Sequence, residues 1–176
     1  TIALVGGGTT LVGDPSGKDS SRQILTLGQI SENINKIKNT FNQFINLKKG
    51  ALIKNNYEWL ADLNYINFLR DIGSKLTINK MLTYDSVKNR LDREQALTFL
   101  EFNYMLLQSY DFYHLKKNYD CLLQMGGSDQ WGNIINGIDL IRKLLNQKAY
   151  ALTSPLITNT DGSKMGKTAQ GAIWLD

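Results

Sequence analysis

The stretch that most constrains this chain runs from Cys121 to Leu145. Cys121-Leu122-Leu123 is a short apolar run of strand character, and Gln124-Met125 carries it into Gly126-Gly127-Ser128-Asp129-Gln130-Trp131-Gly132-Asn133. Ile134, Ile138, Ile141 and Leu145 then recur at three- and four-residue steps, which is the spacing of an amphipathic helix. Strand, glycine turn and helix in that order form a βα unit, so the chain is predicted to belong to the α/β class.

The rest of the sequence is compatible with that unit. Thr1-Ile2-Ala3-Leu4-Val5 is predicted as a buried strand, and Gly6-Gly7-Gly8 as the turn that follows it. A helix is expected from Ser31, as its N-cap, to about Leu47, and a strand at Ala51-Leu52-Ile53. The segment from Lys75 to Leu91 is polar, helix-compatible and weakly patterned. The clearest helix spans 97–116, where Phe99, Phe102, Leu106, Tyr110 and Tyr113 repeat. Beyond Ala151 the pattern becomes that of loops, with an Asp161-Gly162 turn before Lys164-Met165-Gly166-Lys167-Thr168. With no internal repeat and no linker, 1–176 is expected to be one unit. Its first residues lie inside a strand, and Ala172-Ile173-Trp174-Leu175-Asp176 stop without a capping signal, so truncation at both ends is expected.

Composition removes several classes. With 42% hydrophobic and 20% charged residues, neither a disordered chain nor a coiled coil fits. The single cysteine, Cys121, has no partner for a disulfide, and the single histidine, His114, cannot complete a soft-ligand metal set with it. No protein-bound metal is expected. A net charge of +4 suits an anionic partner without demanding one. No apolar run approaches the roughly 20 residues of a membrane span.

Phosphate loops fail by spelling. Gly166-Lys167-Thr168 would need glycine at 161, which is Asp161, and Gly17-Lys18 would need it at 12, which is Val12. The dinucleotide pattern fails because Leu11 stands where the third glycine belongs. The helix at 97–116 says more. Tyr104, Gln108 and Asp111 fall within a sector of roughly 60°, offering a phenol, an amide and a carboxylate to one place, unless that face is merely solvated. Gly126 to Gln130 sits at the carboxyl end of a strand, where open parallel sheets bind ligands; the plainer reading is that Ser128 or Asp129 caps the next helix. Lys164 and Lys167 could close on charge developing on leaving phosphates, or belong to a solvated loop. Trp131 and Trp174 are expected in the core, Cys121 as inert core, and His114 exposed near a helix end. The basic pairs Lys48-Lys49, Lys116-Lys117 and Arg142-Lys143 are expected to be solvated surface rather than nucleic-acid contacts.

Taken together, Asp14-Pro15-Ser16-Gly17-Lys18, Tyr104 to Asp111, Gly126 to Asn133 and Lys164 to Thr168 resemble the bacterial-type tyrosyl-tRNA synthetases, in the family's order and over essentially the whole chain. The resemblance implies a Rossmann-like parallel sheet with flanking helices, and a helical connective and dimer-interface insertion around 65–100. It implies that Tyr104, Gln108 and Asp14 hold the tyrosine ammonium, that Asp111 partners its phenol, and that Gln130 contacts its carboxyl. Gly127 and Asp129 would hold the ATP ribose. Lys164, Lys167 and Thr168, with Lys18 and Arg22, would stabilise the departing pyrophosphate. ATP would be a substrate accompanied by Mg2+, tyrosine and tRNA(Tyr) the others. The likeness further implies a homodimer with Phe99 and Phe102 at its interface, no membrane, and a cytoplasmic or organellar-matrix location. The family's His-Ile-Gly-His-like motif is missing from this sequence, so the piece alone is expected to have little activity. The alternative is a non-catalytic RNA-binding relative, of the splicing-cofactor kind.

Overall fold

Two parallel strand pairs hold the structure, a computed structural model that describes residues 1–12, 25–94, 96–159 and 165, without the side chains of 85, 86 and 89. In the first pair β1 (Ile2–Val5) lies beside β2 (Leu52–Asn55), with Ile2 opposite Leu52 and Val5 opposite Asn55. Between them come α1 (Gly7–Thr10) and α2 (Leu27–Phe44), so the crossover is helical, as parallel pairing requires. Ile30 and Ile34 of α2 close over Val5, with Ile53 and Phe41 at the margin. The second pair is β3 (Leu123–Gly127) and β4 (Tyr150–Ser154), connected through α8 (Trp131–Leu145).

Between β2 and β3 the chain is helical: α3 (Tyr57–Leu60), α4 (Tyr65–Asp71), α5 (Ile78–Met81), α6 (Asp85–Asp92) and the long α7 (Phe99–Tyr119). α7 begins with a capping box. Thr98 Oγ1 accepts from Glu101 N, while the Glu101 carboxylate accepts from Thr98 N at 2.9 Å. It stops where Asp120 turns left-handed at φ 49°, and α8 stops the same way at Asn146, φ 52°. α7 and α8 pack through Phe112, Ile134 and Ile141, none more than 1% exposed. A second cluster of Met81, Val87, Met105 and Leu106 ties α5 and α6 to α7.

Several expectations change. α2 starts four residues before Ser31, because Thr26 and Gln29 form a reciprocal capping box. Gly7 and Gly8 open a helix rather than a turn, their amides donating to the Asn55 and Asn56 side chains. The strand expected at 121–123 runs from 123 to 127, and the loop-like region after Ala151 begins with a strand. Its alternation of exposed Tyr150, Leu152 and Ser154 with Ala151 and Thr153 is the period-two signature of a half-buried strand. Trp131 is 49% exposed rather than core, and Leu122 and Leu123 are similarly open. Lys116 is buried and paired with Asp120, and both Arg142 and Lys143 bind Asp139, so two of the three basic pairs are engaged within the fold. Among the described residues no helix is long and apolar enough to cross a membrane.

Candidate functional site

The α7 face is not solvated. Tyr104, Gln108 and Asp111 line one cavity of about 340 Å³, near the lower end of the ~300–1,000 Å³ usual for small-ligand sites. Its walls come from separate elements. β1 and the residue after it supply Leu4 and Gly6, β3 supplies Gln124 and Met125, and Gln130 enters from the single 3-10 turn before α8. Four of the sequence-derived candidates, Tyr104, Gln108, Asp111 and Gln130, therefore meet in one place.

Asp111 is the most constrained of them. It is 2% exposed, and its two carboxylate oxygens accept from Asn56 Nδ2 at 2.9 Å and Trp59 Nε1 at 2.7 Å. Burial pushes its carboxyl up to about 7, while the hydrogen bonds from Asn56 and Trp59 pull the other way. Asn56 is itself locked. Its Oδ1 accepts from Gly8 N at 2.7 Å, and its Nδ2 also donates to Thr9 Oγ1 at 3.1 Å. α1, the start of α3 and the middle of α7 are thus joined at one carboxylate. A buried carboxylate with lone pairs to spare on a cavity wall accepts a hydroxyl or ammonium donor well.

His114 lies one helical turn beyond Asp111, and it is not an exposed helix-end residue. Its ring stacks on Trp59, with centroids 4.2 Å apart and planes 13° from parallel. Burial, followed by the charge of Lys117, holds its imidazole below the usual value. Cys121 is not core as expected: it is half-buried, lies two residues before β3 and lines the cavity, although burial pushes its thiol up.

Gly126, Gly127 and Asp129 lie between the lining residues Met125 and Gln130 without lining the cavity themselves, and the two glycines are explained by space. A Cβ on Gly126 would meet Gln130 Cβ at 3.2 Å, and one on Gly127 would meet Asp129 Oδ1 at 2.7 Å and Leu156 Cδ2 at 2.9 Å. Bare backbone at 126 and 127 is what lets the turn fold back with Gln130 and Asp129 beside it. Neither Ser128 nor Asp129 caps α8: the residue before that helix is Gln130, and no side chain caps it. Asn133 Nδ2 donates to Gln108 Oε1 at 2.9 Å and to Gln130 Oε1 at 3.3 Å, linking α7 to the turn.

Asn56 and Gln124 line the cavity without having been expected there. Gln124 Oε1 is buried and has no hydrogen-bond partner among the described residues, on a side chain that lines the cavity. The available signal was an amide inside an otherwise apolar strand, one residue before Met125 and the Gly126-Gly127 pair. Asp14, Lys18, Arg22, Lys164, Lys167 and Thr168 lie outside the described residues. Met165 alone of the lysine loop is described; its N donates to Ile157 O at 2.9 Å, a short distance past the carboxyl end of β4. Among the described residues no group of three His, Cys, Asp or Glu side chains could hold a metal ion.

Comparisons with known proteins agree on one family. The pattern of the class I tRNA synthetases (W and Y) matches residues 1–176. The tyrosine–tRNA ligase of Ruegeria pomeroyi is 58% identical over 99% of this chain and 43% of its own length, and that of Beijerinckia indica is 60% identical over 99% and 42%. The chain thus spans under half the length of these relatives. Among solved structures, a C-terminally truncated mitochondrial tyrosyl-tRNA synthetase of Coccidioides posadasii superposes with a TM-score of 0.77, at 25% identity over 99% of this chain and 53% of that one. The corresponding Aspergillus nidulans protein gives 0.71, at 28% identity over 94% and 54%. With its parallel strands, its flanking helices and a match over its whole length, the chain belongs to the class I tRNA synthetases of the W and Y type.

Proposed function

We propose that the protein containing this chain is a tyrosine–tRNA ligase, in which 1–176 is part of the catalytic domain. The observation that carries this reading is the cavity where Tyr104, Gln108, Asp111 and Gln130 converge, with a buried carboxylate on its wall. The relatives bearing that name are 57–60% identical over nearly all of this chain, which favours tyrosine among the family's substrates.

In this reading the tyrosine phenol donates to Asp111, and its ammonium donates to Tyr104, Gln108 and Asp14. Gln130 contacts the carboxylate, whose oxygen attacks the α-phosphorus of ATP. The bond between that phosphorus and the bridging oxygen breaks in line, pyrophosphate leaves, and tyrosyl-adenylate remains. No protein nucleophile is required; positioning and electrostatic stabilisation suffice. Gly127 and Asp129 hold the ribose, while Lys164, Lys167, Thr168, Lys18 and Arg22 meet the charge growing on pyrophosphate. Mg2+ arrives with the ATP phosphates as part of the substrate. The second step passes the tyrosyl group to the 3′ end of tRNA(Tyr).

Selectivity follows from Asp111. A site built to hydrogen-bond a hydroxyl rejects the analogue lacking it by roughly 10⁴–10⁵; tyrosyl enzymes are the standard instance of that rule, so the range is carried over from the class. A homodimer is part of the proposal. Tyr65, Phe99 and Leu100 are 52–69% exposed around one apolar groove, which a second copy could cover. Phe102, by contrast, packs against the Met81, Val87 and Met105 cluster. The test is ATP–pyrophosphate exchange by the full-length protein. Exchange that depends on tyrosine and is roughly 10⁴-fold or more weaker with phenylalanine is expected. Equal stimulation by phenylalanine, or RNA binding without any exchange, would overturn the reading.

A further inference from the structure

One primary amide touches both glutamines of the site. Asn133 is the third residue of α8 and 5% exposed, and its Nδ2 donates to Gln108 Oε1 on α7 and Gln130 Oε1 on the preceding turn. An amide nitrogen has two N–H donors, one for each glutamine. We propose that Asn133 is a positioning residue that fixes which way round both glutamine amides face the substrate.

The argument is one of donor and acceptor matching. With both Oε1 atoms held by Asn133, turning either glutamine over would set an NH2 group against the Asn133 NH2 group, donor against donor, in a nearly buried place. Each Oε1 keeps a second lone pair. Gln108 can therefore still accept from an ammonium, and Gln130 keeps its Nε2 for donation to a carboxylate or phosphate oxygen. Neither polarity is fixed by the glutamine alone, since an amide fits a cavity equally well in both orientations. Asn133 is thus the element that distinguishes an ammonium end from a carboxylate end along the cavity wall. This inference rests on the tyrosine-activation reading.

Asn133→Asp tests it in the full-length protein. The variant is isosteric, and an ionised carboxylate accepts only, so it would draw the Nε2 of both glutamines and reverse both amides. A negative charge in the first turn of α8 favours the helix. Burial of the new charge opposes that gain, so the expected result is a variant still folded at the assay temperature, with a kcat/KM for tyrosine in exchange lowered about tenfold or more, the effect of reversing two hydrogen bonds to charged substrate groups. Relative to wild type, the loss should narrow at low pH, where a protonated Asp regains one O–H donor. Asn133→Leu, uncharged and similar in size, separates amide orientation from charge: KM for tyrosine should rise severalfold with the fold maintained. A wild-type kcat/KM in the Asp variant overturns the proposal, as does a loss that merely tracks lowered stability. Wild-type protein without tyrosine-dependent exchange would instead sink the activation reading, and this proposal with it.

Discussion

Replacing Asp111 with Asn should remove a specific pH dependence of stability. The carboxyl sits at about 7 in the folded protein against 3.8 for an ordinary aspartate. Between these values the native state holds a proton that the unfolded chain has lost, so stability falls as pH rises through the window and the loss is complete above about 7. At 1.36 kcal/mol per tenfold change in proton affinity, the penalty at neutral pH is about 4 kcal/mol. For a chain of this size each kcal/mol moves the melting temperature by about 2–4 °C, so the effect is on the order of ten degrees. The amide of the Asp111→Asn variant carries no such charge. Its mismatch with the Trp59 or Asn56 donor costs some stability, but equally at every pH. His114 works in the opposite sense: its imidazole is held low, so stability contributed by the neutral ring is lost as pH falls below its usual value of 6.5. That term is common to both proteins. The assay is therefore thermal melting of wild type and Asp111→Asn at a series of pH values from about 4 to 8. Wild type should lose ground steadily against the variant as pH rises. Parallel curves would refute the claim that Asp111 is a buried, penalised carboxylate.

Asn56→Ala should destabilise the protein by about 2–4 kcal/mol in denaturant unfolding, because the buried Gly8 amide loses its acceptor and Asp111 loses a donor; a loss within measurement error would show that these bonds do not hold the site together. Burial pushes the Asp139 carboxyl up, yet hydrogen bonds from Lys143, Arg142 and Lys80 outweigh it and hold the group at about 2. Its stabilisation is full above 3.8 and disappears as pH falls towards 2, so Asp139→Asn should unfold in acid with a shallower pH dependence there, and identical acid titrations would argue against the cluster. A Cβ on Gly132 would lie 2.9 Å from Tyr84 Cγ, so Gly132→Ala should cost about 1–3 kcal/mol by displacing the ring whose hydroxyl donates to Asn136. The same substitution beside Tyr84→Leu should cost less, and an equal cost would refute the packing explanation.

Much of the site is legible in the sequence. Tyr104, Gln108 and Asp111 share a helix face by 3.6-residue periodicity alone, and the glycines before Gln130 announce a tight approach at a strand end. What periodicity could not tell was whether that face meets solvent or a cavity. α7 is enclosed on several sides, with Met105, Ser109, Phe112 and Lys116 all buried, so no single apolar stripe marks its environment. β4 is hard to read from sequence because three of its five residues are exposed and its partner, β3, lies more than twenty residues earlier. Asn56 and Trp59 are silent too, because their importance lies wholly in an Asp111 that is 55 and 52 residues away in sequence.

The sequence by itself determined the alphabet of the site: which helix face carries polar groups, where the backbone must be bare, and which family the chain resembles. Only the tertiary structure decided what those groups are. It is burial that raises Asp111, two distant donors that orient it, and a shared asparagine that sets the polarity of Gln108 and Gln130. Periodicity is a property of neighbours along the chain, whereas desolvation and hydrogen bonding depend on elements that meet only on folding.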